Sequence, residues 1–209
     1  MKDLTLTIRA VYGRALPPNQ LPDFPEKDKK GDQIFVRRRL DTHGKQHQGP
    51  QGPDQAYFVP GQGLVGHAMY HTDYMDKTYT YEERAVLIQS MEHYLALMRS
   101  EKVGKYFAMF QAESEGESME LVLENPKFGE QIIVQGCTAE DLCIGDVFEC
   151  ENSTLKLEVT SPRFPCNYVD RKMESPFGST GVRRHTLNDA SAGWFCRVLE
   201  EGEVSRWVF

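Results

Sequence analysis

Residues 128–166 read FGEQIIVQGCTAEDLCIGDVFECENSTLKLEVTSPRFPC, and they carry the strongest strand pattern in the chain. Its apolar, β-branched runs are separated by glycines and by the polar pair at 152–153, a pattern typical of short strands with tight connections. In the last run Leu155, Leu157 and Val159 alternate with polar residues, which half-buries a strand in a sheet or barrel wall. We expect three neighbouring strands, at 131–134, 147–149 and 155–160.

The stretch ends in a stiff loop, Pro162-Arg163-Phe164-Pro165-Cys166. Each proline fixes one backbone φ angle and pushes the residue before it toward extended geometry. The loop therefore holds the Cys166 thiol close to the Arg163 guanidinium. Positive neighbours lower the pKa of a thiol, and the thiolate is the form that ligates metals and acts as a sulfur nucleophile. From the residues alone, Cys166 is either such a functional thiol or an inert buried one.

Several short motifs follow one another in the order and spacing of a known family. They are Phe128-Gly129-Glu130, the segment DLCIGD at 141–146, the Pro162–Cys166 loop, and GWFCRVLEEG at 193–202. Together they resemble the MOSC family, named for the C-terminal domain of molybdenum-cofactor sulfurases. The resemblance covers roughly residues 63–202 and is most specific in the C-terminal half.

The expected fold is mostly β. A count of roughly eight short strands against one or two helices favours a barrel, and the resemblance implies a MOSC-type β-barrel with a few peripheral helices. The length of 209 residues suits one domain, which we expect to span 1–209.

The resemblance also implies a site. In the family, the cysteine that matches Cys166 is the thiol thought to ligate molybdenum or to carry a persulfide. Arg84 and Arg163 match arginines of the family motifs. The molybdenum cofactor is a pterin with a phosphate and a negative dithiolene, and such a group calls for guanidinium groups and backbone amides.

Three further residues are candidates for binding the cofactor: Asp146, Arg183 and Arg184. Asp146 follows Gly145 ahead of a strand, where a carboxylate can equally serve its own turn by accepting hydrogen bonds from nearby amides. The two arginines follow a turn, GSTG at 178–181, that opens a short helix. The amides of that turn either hold an anion or belong to a plain surface turn.

Relatives in the family reduce N-hydroxylated compounds, including hydroxylaminopurines and amidoximes. The first hypothesis is therefore a molybdenum-cofactor oxidoreductase with Cys166 as the molybdenum ligand. Its electrons would come from a separate donor protein, because the sequence has neither iron–sulfur cysteine spacing nor a dinucleotide fingerprint. The second hypothesis is a non-enzymatic carrier of the molybdenum cofactor, or of sulfur as a Cys166 persulfide. The third is a degenerate β-barrel with only an interaction role.

Two departures from the family pattern favour the carrier. His67 stands where the family has aspartate, and residues 79–81 read Tyr-Thr-Tyr where it has His-Gly-Gly. The segment GPDQA at 52–56 mimics a family motif, but the element that precedes this motif in the family follows it here. We therefore align Arg84-Ala85-Val86 and Glu92-His93-Tyr94 with the family instead.

Composition narrows the class of protein. The net charge of −7 argues against nucleic-acid and anionic-membrane binding. No apolar run approaches the ~20 residues of a membrane span, and the N-terminus lacks an apolar signal core, so we expect a cytoplasmic protein. Five cysteines without a disulfide pattern indicate reduced thiols. We interpret Cys137, Cys143, Cys150 and Cys196 as small core residues.

The stretch 81–101 admits two interpretations. Leu87, Met91 and Tyr94 have helical spacing, which favours one long helix. The resemblance instead implies a strand over 84–89 and a helix over 91–101 capped by Ser90, and we favour this second interpretation. Elsewhere we expect strands at 3–12, 33–40, 119–123, 196–199 and 204–208, a polar turn at 114–118, and a long mobile loop over 41–62.

Overall fold

The computed structural model describes residues 4–14, 37–39, 56–64, 82–151 and 153–204. Ten strands lie in these ranges: β1 Thr7–Arg14, β2 Arg37–Arg39, β3 Tyr57–Val59, β4 Gly63–Leu64, β5 Val86–Ser90, β6 Ile132–Gln135, β7 Val147–Glu149, β8 Lys156–Pro162, β9 Trp194–Glu200 and β10 Gly202–Glu203. The helices are α1 Met91–Arg99, α2 Glu115–Glu124, α3 Asn167–Lys172 and α4 Val182–Asn188, with two 3-10 helices at Glu82–Arg84 and Gly104–Phe110. No helix in the described ranges is long and apolar enough to cross a membrane.

Seven strands form one curled, half-barrel sheet in the order β2-β1-β6-β5-β9-β8-β7. Its pairs are antiparallel except for β5 and β6, which run parallel. Strands β10, β3 and β4 form a second, three-stranded sheet. The predicted mostly β fold is confirmed, although the sheet ends at β2 and β7 among the described strands rather than closing on itself.

The strands at 131–134, 147–149 and 155–160 were expected to lie side by side, and this prediction is correct for one pair only. Strand β7 pairs with β8 as predicted, but β6 is separated from β8 by β5 and β9. Strand alternation fixes which face of a strand is buried and not which strand lies beside it. Long-range pairing with residues 86–90 and 194–200 decides the position of β6.

Two hydrophobic clusters lie on opposite faces of the large sheet. Alternate residues of β8 and β9, such as Leu157 and Cys196, point into the first cluster, which also includes Phe58 of β3. The second cluster joins Tyr12 and Ile133 of the sheet to the helices. In it Tyr94 makes edge-on ring contacts with Phe107, Phe110 and Phe128. The site described below lies at the end of β8, where the chain enters α3.

The strand-then-helix interpretation of residues 81–101 is confirmed. Strand β5 ends at Ser90, whose side chain accepts a hydrogen bond from the Glu92 amide and caps α1. The strand expected at 119–123 is wrong, because α2 covers this stretch. Ser114 and Glu117 form a capping box there, and Met119, Val122 and Leu123 are buried at helical spacing.

Other expectations are met in part. Strand β1 agrees with the strand expected at 3–12. Tyr57–Val59 is a strand although it falls in the loop expected over 41–62, and residues 41–55 lie outside the described residues. The short helix after the 178–181 turn is present as α4, whereas α3 was not expected. Residues 205–208 of the last expected strand also lie outside the described ranges.

Candidate functional site

The Cys166 thiol lies on the surface at the point where β8 gives way to α3. Strand β8 ends at Pro162, and Cys166 is the residue that precedes the first turn of α3. The residue is exposed rather than buried. The loop between Pro162 and Cys166 is anchored by the Arg163 amide. This amide donates a 2.8 Å hydrogen bond to the carbonyl of Gly193, the residue before β9.

Arg163 supplies positive charge behind the thiol. Its side chain is partly buried, and its Nη1 atom is enclosed with no hydrogen-bond partner among the described residues. Burial lowers the pKa of Arg163, while the negative charges that Cys166, Glu130 and Tyr94 can carry act in the opposite direction. The guanidinium therefore lies within electrostatic reach of the thiol and of a buried carboxyl group.

That carboxyl group belongs to Glu130, which is fully buried. Tyr94 of α1 donates a 2.6 Å hydrogen bond to Glu130 Oε1 and accepts a 2.7 Å hydrogen bond from the Lys127 amide. Burial and the neighbouring Glu130 raise the pKa of Tyr94 well above its ordinary value. The tyrosine therefore remains a hydrogen-bond donor to Glu130, which lies within electrostatic reach of Arg163.

Arg183 reaches the cysteine loop from α4. Its Nε donates a 2.9 Å hydrogen bond to the Pro165 carbonyl, one residue before the thiol. Its backbone amide donates a 2.9 Å hydrogen bond to Oδ1 of the buried Asp170 on α3. Gly181 permits this close packing, since a Cβ there would lie 2.7 Å from Asp170 Oδ1 and 1.9 Å from the Pro176 carbonyl oxygen.

The other predicted site residues are connected less directly to the Cys166 loop. The Arg84 guanidinium lies over the Phe195 ring, 5.4 Å from its centroid, on the sheet. Asp146 accepts a 2.7 Å hydrogen bond from the Cys143 amide, which agrees with the alternative of a turn carboxylate. Arg184 is exposed on α4, next to Arg183. The structure thus brings Arg163 and Arg183 to Cys166, while Asp146 serves its own turn.

The remaining cysteines divide by exposure. Cys137, Cys150 and Cys196 are buried, as expected. Burial raises the pKa of Cys137 to about 12, and burial also raises the pKa of Cys196. The expectation that Cys143 is a core residue is wrong, because it is exposed in the turn before β7. Cys143 is not flanked by prolines like those that stiffen the loop before Cys166. In the described part of the chain, no cluster of three or more His, Cys, Asp or Glu residues could hold a metal ion.

Sequence reasoning missed two acidic residues that shape this site. Glu130 was named only as part of the Phe-Gly-Glu motif. Asp170 was not singled out. A buried carboxylate is rare unless it is paired, and the sequence signal for it is weak, because burial of residues 130 and 170 depends on segments far away in the chain.

A family model settles which proteins this chain resembles. The model described as the MOSC domain matches residues 43–206, well over half of the chain. The chain belongs to the MOSC domain family. The predicted resemblance, over roughly 63–202, is therefore confirmed, and the matched range extends beyond it at both ends.

Curated relatives match this MOSC domain over a limited segment. The uncharacterized protein YflK of Bacillus subtilis is 39% identical over 83 residues, which is 40% of this chain and 35% of YflK. A protein named reductase from Gibberella moniliformis is 33% identical over 79 residues, 38% of this chain and 13% of that protein. Protein YiiM of Escherichia coli is 29% identical over 80 residues, 38% of this chain and 33% of YiiM. The matched segments therefore span about a third or less of these relatives.

Solved structures match the MOSC domain more broadly. The YUAD protein from Bacillus subtilis has a TM-score of 0.56 at 16% identity, covering 99% of this chain and 94% of that one. YiiM from Escherichia coli has a TM-score of 0.51 at 18% identity, covering 97% and 67%. At these identities the likeness shows the fold alone.

Proposed function

We propose that this MOSC domain binds the molybdenum cofactor at Cys166 and reduces N-hydroxylated compounds. One observation supports the proposal most. An exposed thiol on a loop held by two prolines lies within electrostatic reach of the partly buried Arg163 guanidinium, whose enclosed Nη1 has no partner among the described residues. A guanidinium that is enclosed without a partner is costly unless an anion meets it.

The residues present fit the cofactor by their donor chemistry. Thiolate is a soft ligand suited to a transition metal, and Cys166 would supply it. Arg163 would face the negative charge of the dithiolene and pterin, since its guanidinium keeps its proton at any physiological pH. Arg183 would present its remaining N–H groups to the phosphate while its Nε holds Pro165. Arg84, Asp146 and Arg184 are weaker candidates for the same cofactor.

When bound, the molybdenum centre would supply the oxygen-atom and electron chemistry. The chain's own part is to fix the thiol, to balance charge and to orient the substrate. The Glu130–Tyr94 pair would hold Arg163 in place from below, and the Asp170–Arg183–Pro165 contacts would fix the cysteine loop from the side. We infer that the reducing equivalents come from a donor protein or domain outside the described residues.

A second function, delivery of the cofactor or of persulfide sulfur, is favoured by one feature. The Cys166 side chain is exposed, so a partner protein can reach the sulfur directly. The sequence departures that favour this function, at His67 and at 79–81, lie outside the described residues.

The test begins with expression in a host that makes molybdenum cofactor, followed by measurement of molybdenum per protein chain. We expect bound molybdenum in the wild type, loss of it in Cys166→Ser, and retention in Cys143→Ser, which removes the other exposed thiol. Turnover of an N-hydroxylated substrate with reduced methyl viologen as the electron donor then supports the reductase. Bound cofactor or a sulfur adduct on Cys166 without turnover supports the carrier. Equal metal content in Cys166→Ser and the wild type would overturn both.

A further inference from the structure

One buried carboxyl group lies on α3, four residues after the candidate thiol. Asp170 is 2% exposed, and its Oδ2 atom has no hydrogen-bond partner among the described residues. Its Oδ1 atom accepts two hydrogen bonds, from the Ser175 hydroxyl at 2.6 Å and from the Arg183 amide at 2.9 Å. Burying a carboxyl group costs stability unless hydrogen bonds offset the lost hydration. The contribution of Asp170 therefore lies in the bonds that it accepts.

Asp170 and Ser175 together cap helix α4, which has no cap of its own. The residue at the N-cap position of α4 is Gly181, so no side chain there accepts a hydrogen bond from the first turn. The Val182 amide donates instead to the Ser175 hydroxyl oxygen at 3.3 Å, and the Arg183 amide donates to Asp170. The first amides of a helix have no partners within the helix, so these two bonds hold the start of α4 against α3.

The bonds at Asp170 complete a ring of contacts that begins and ends at the thiol. Cys166 is the N-cap of α3, and this helix carries the chain from Cys166 to Asp170. Asp170 holds the Arg183 amide, and the Arg183 side chain returns through its Nε to the Pro165 carbonyl at 2.9 Å. The Pro165 carbonyl and the Cα of Cys166 belong to one planar peptide group. A bond that fixes this carbonyl therefore restricts the direction in which Cys166 projects its side chain.

We propose that Asp170 is a positioning residue for Cys166 and acts on it through Arg183. By capping α4, Asp170 places the Arg183 guanidinium where its Nε meets the Pro165 carbonyl. The inference rests on the proposed function only in taking the positioned sulfur as a metal ligand. Residues that hold a metal ligand in place typically account for ~10-fold or more of the affinity for the metal. The positioning itself can be measured without cofactor or turnover.

The first test attaches a nitroxide spin label to Cys166 in the cofactor-free Cys143→Ser protein, whose other three cysteines are buried. The electron paramagnetic resonance spectrum reports how freely the label moves on the nanosecond timescale. We expect Asp170→Ala and Arg183→Gln each to shorten the rotational correlation time of the label at least about twofold. Asp170→Asn should keep the parent spectrum, because its amide oxygen can accept both bonds. Asp189→Ala removes an exposed carboxyl group at the other end of α4; it is the matched control and should also keep the parent spectrum.

The double variant Asp170→Ala/Arg183→Gln tests whether Asp170 acts through Arg183. If it does, the label should move no more freely in the double variant than in Arg183→Gln alone. Additive loosening in the double variant, or an unchanged spectrum in Arg183→Gln, would overturn the proposal. Should Asp170→Ala fail to fold, Ser175→Ala takes its place, since it removes one bond to Asp170 and the acceptor of the Val182 amide. It should loosen the label in the parent and not further in the Arg183→Gln background, and the absence of any loosening would count against the proposal.

Molybdenum content connects the positioning to the proposed function. After expression in a host that makes the cofactor, Asp170→Ala should retain about a tenth of the wild-type molybdenum per chain and Asp170→Asn nearly all of it. Equal content in Asp170→Ala and the wild type would overturn the role of this positioning in metal binding. Absence of molybdenum from the wild type would count against the proposed function and leave the result with the spin label standing.

Discussion

The Tyr94 hydroxyl donates a 2.6 Å hydrogen bond to Glu130 Oε1 in the interior of the molecule. The bond joins the first long helix to the Phe-Gly-Glu motif, and Arg163 lies within electrostatic reach of both residues. A carboxyl group buried this deeply is tolerable only when hydrogen bonds and charge satisfy it. The pair therefore links the stability of the core to the placement of positive charge at Cys166.

Removing the hydroxyl should cost stability. Tyr94→Phe deletes the donor to Glu130 and the acceptor of the Lys127 amide, so we expect the free energy of unfolding to fall by ~2 kcal/mol or more. Urea denaturation at neutral pH measures this. Tyr106→Phe, at a partly buried tyrosine whose ring lies beneath Lys105, should change the free energy by much less. Equal stabilities of the two variants would show that the Tyr94 bond is not stabilising.

The buried His93 should make stability depend on pH. Its Nδ1 lies 2.9 Å from Gln89 Oε1, its ring packs on Trp194, and burial lowers its pKa to about 4. Since the unfolded chain binds a proton near pH 6.5 and the folded chain does not, stability is full above pH 6.5. It is lost as pH falls toward 4, by roughly 3 kcal/mol.

Urea denaturation of the wild type across this pH range measures the dependence, and the same denaturation series on His93→Gln provides the control. This variant should be less stable than the wild type at pH 7, because it loses the ring packing, but its unfolding free energy should fall less between pH 6.5 and pH 4.5. Parallel pH curves for the two proteins would assign the acid sensitivity to other groups.

Thiol reactivity should separate the cysteines into two groups. In the folded, cofactor-free protein we expect Cys143 and Cys166 to react with a thiol-specific disulfide reagent, because both are exposed. Cys137, Cys150 and Cys196 should react only after denaturation, since they are buried. Mass mapping of the labelled peptides identifies the sites. Rapid labelling of Cys196 in the native protein would contradict its position in the sheet.

Replacing glycine by alanine should affect stability very differently at Gly193 and at Gly116. Gly193 has φ +93°, and a Cβ there would lie 2.4 Å from the Ile88 carbonyl oxygen. We expect Gly193→Ala to destabilise strongly, by ~2 kcal/mol or more. Gly116 lies in the first turn of α2 with nothing within 4 Å of an added Cβ, so Gly116→Ala should be neutral or stabilise by up to ~1 kcal/mol. Thermal denaturation of both variants tests the contrast.

Sequence reasoning succeeded where local signals and family motifs agree. The break between β5 and α1 at Ser90 was predicted because the family resemblance implies it and because residues 85–88 fit a fully buried strand, although helical spacing favoured one long helix. It failed at α2, where the Ser114–Glu117 capping box was read as a turn. It also failed for the neighbours of β6, which are chosen by residues far away in the chain.

The residues of the cysteine loop could be predicted from the sequence, but the residues that hold the loop in place could not. The Pro-x-x-Pro-Cys spacing pointed to Cys166 and Arg163, because proline restricts the backbone wherever it occurs. The bond from Arg183 to Pro165 joins residues 18 positions apart, and Glu130 meets Tyr94 across 36 positions. Such contacts depend on how α1, α3 and α4 pack, which single-residue patterns do not specify.

The position of β9 has a consequence for synthesis on the ribosome. This strand lies between β5 and β8 and pairs with both, yet it is made more than 100 residues after β5 begins. Until residues 194–200 emerge, β5 and β8 each present an open edge of unpaired backbone groups, which invites pairing with other chains. The nascent protein therefore depends on the helical layer, or on chaperones, to shield a half-built sheet, and a chain that stalls before residue 194 is expected to aggregate rather than fold.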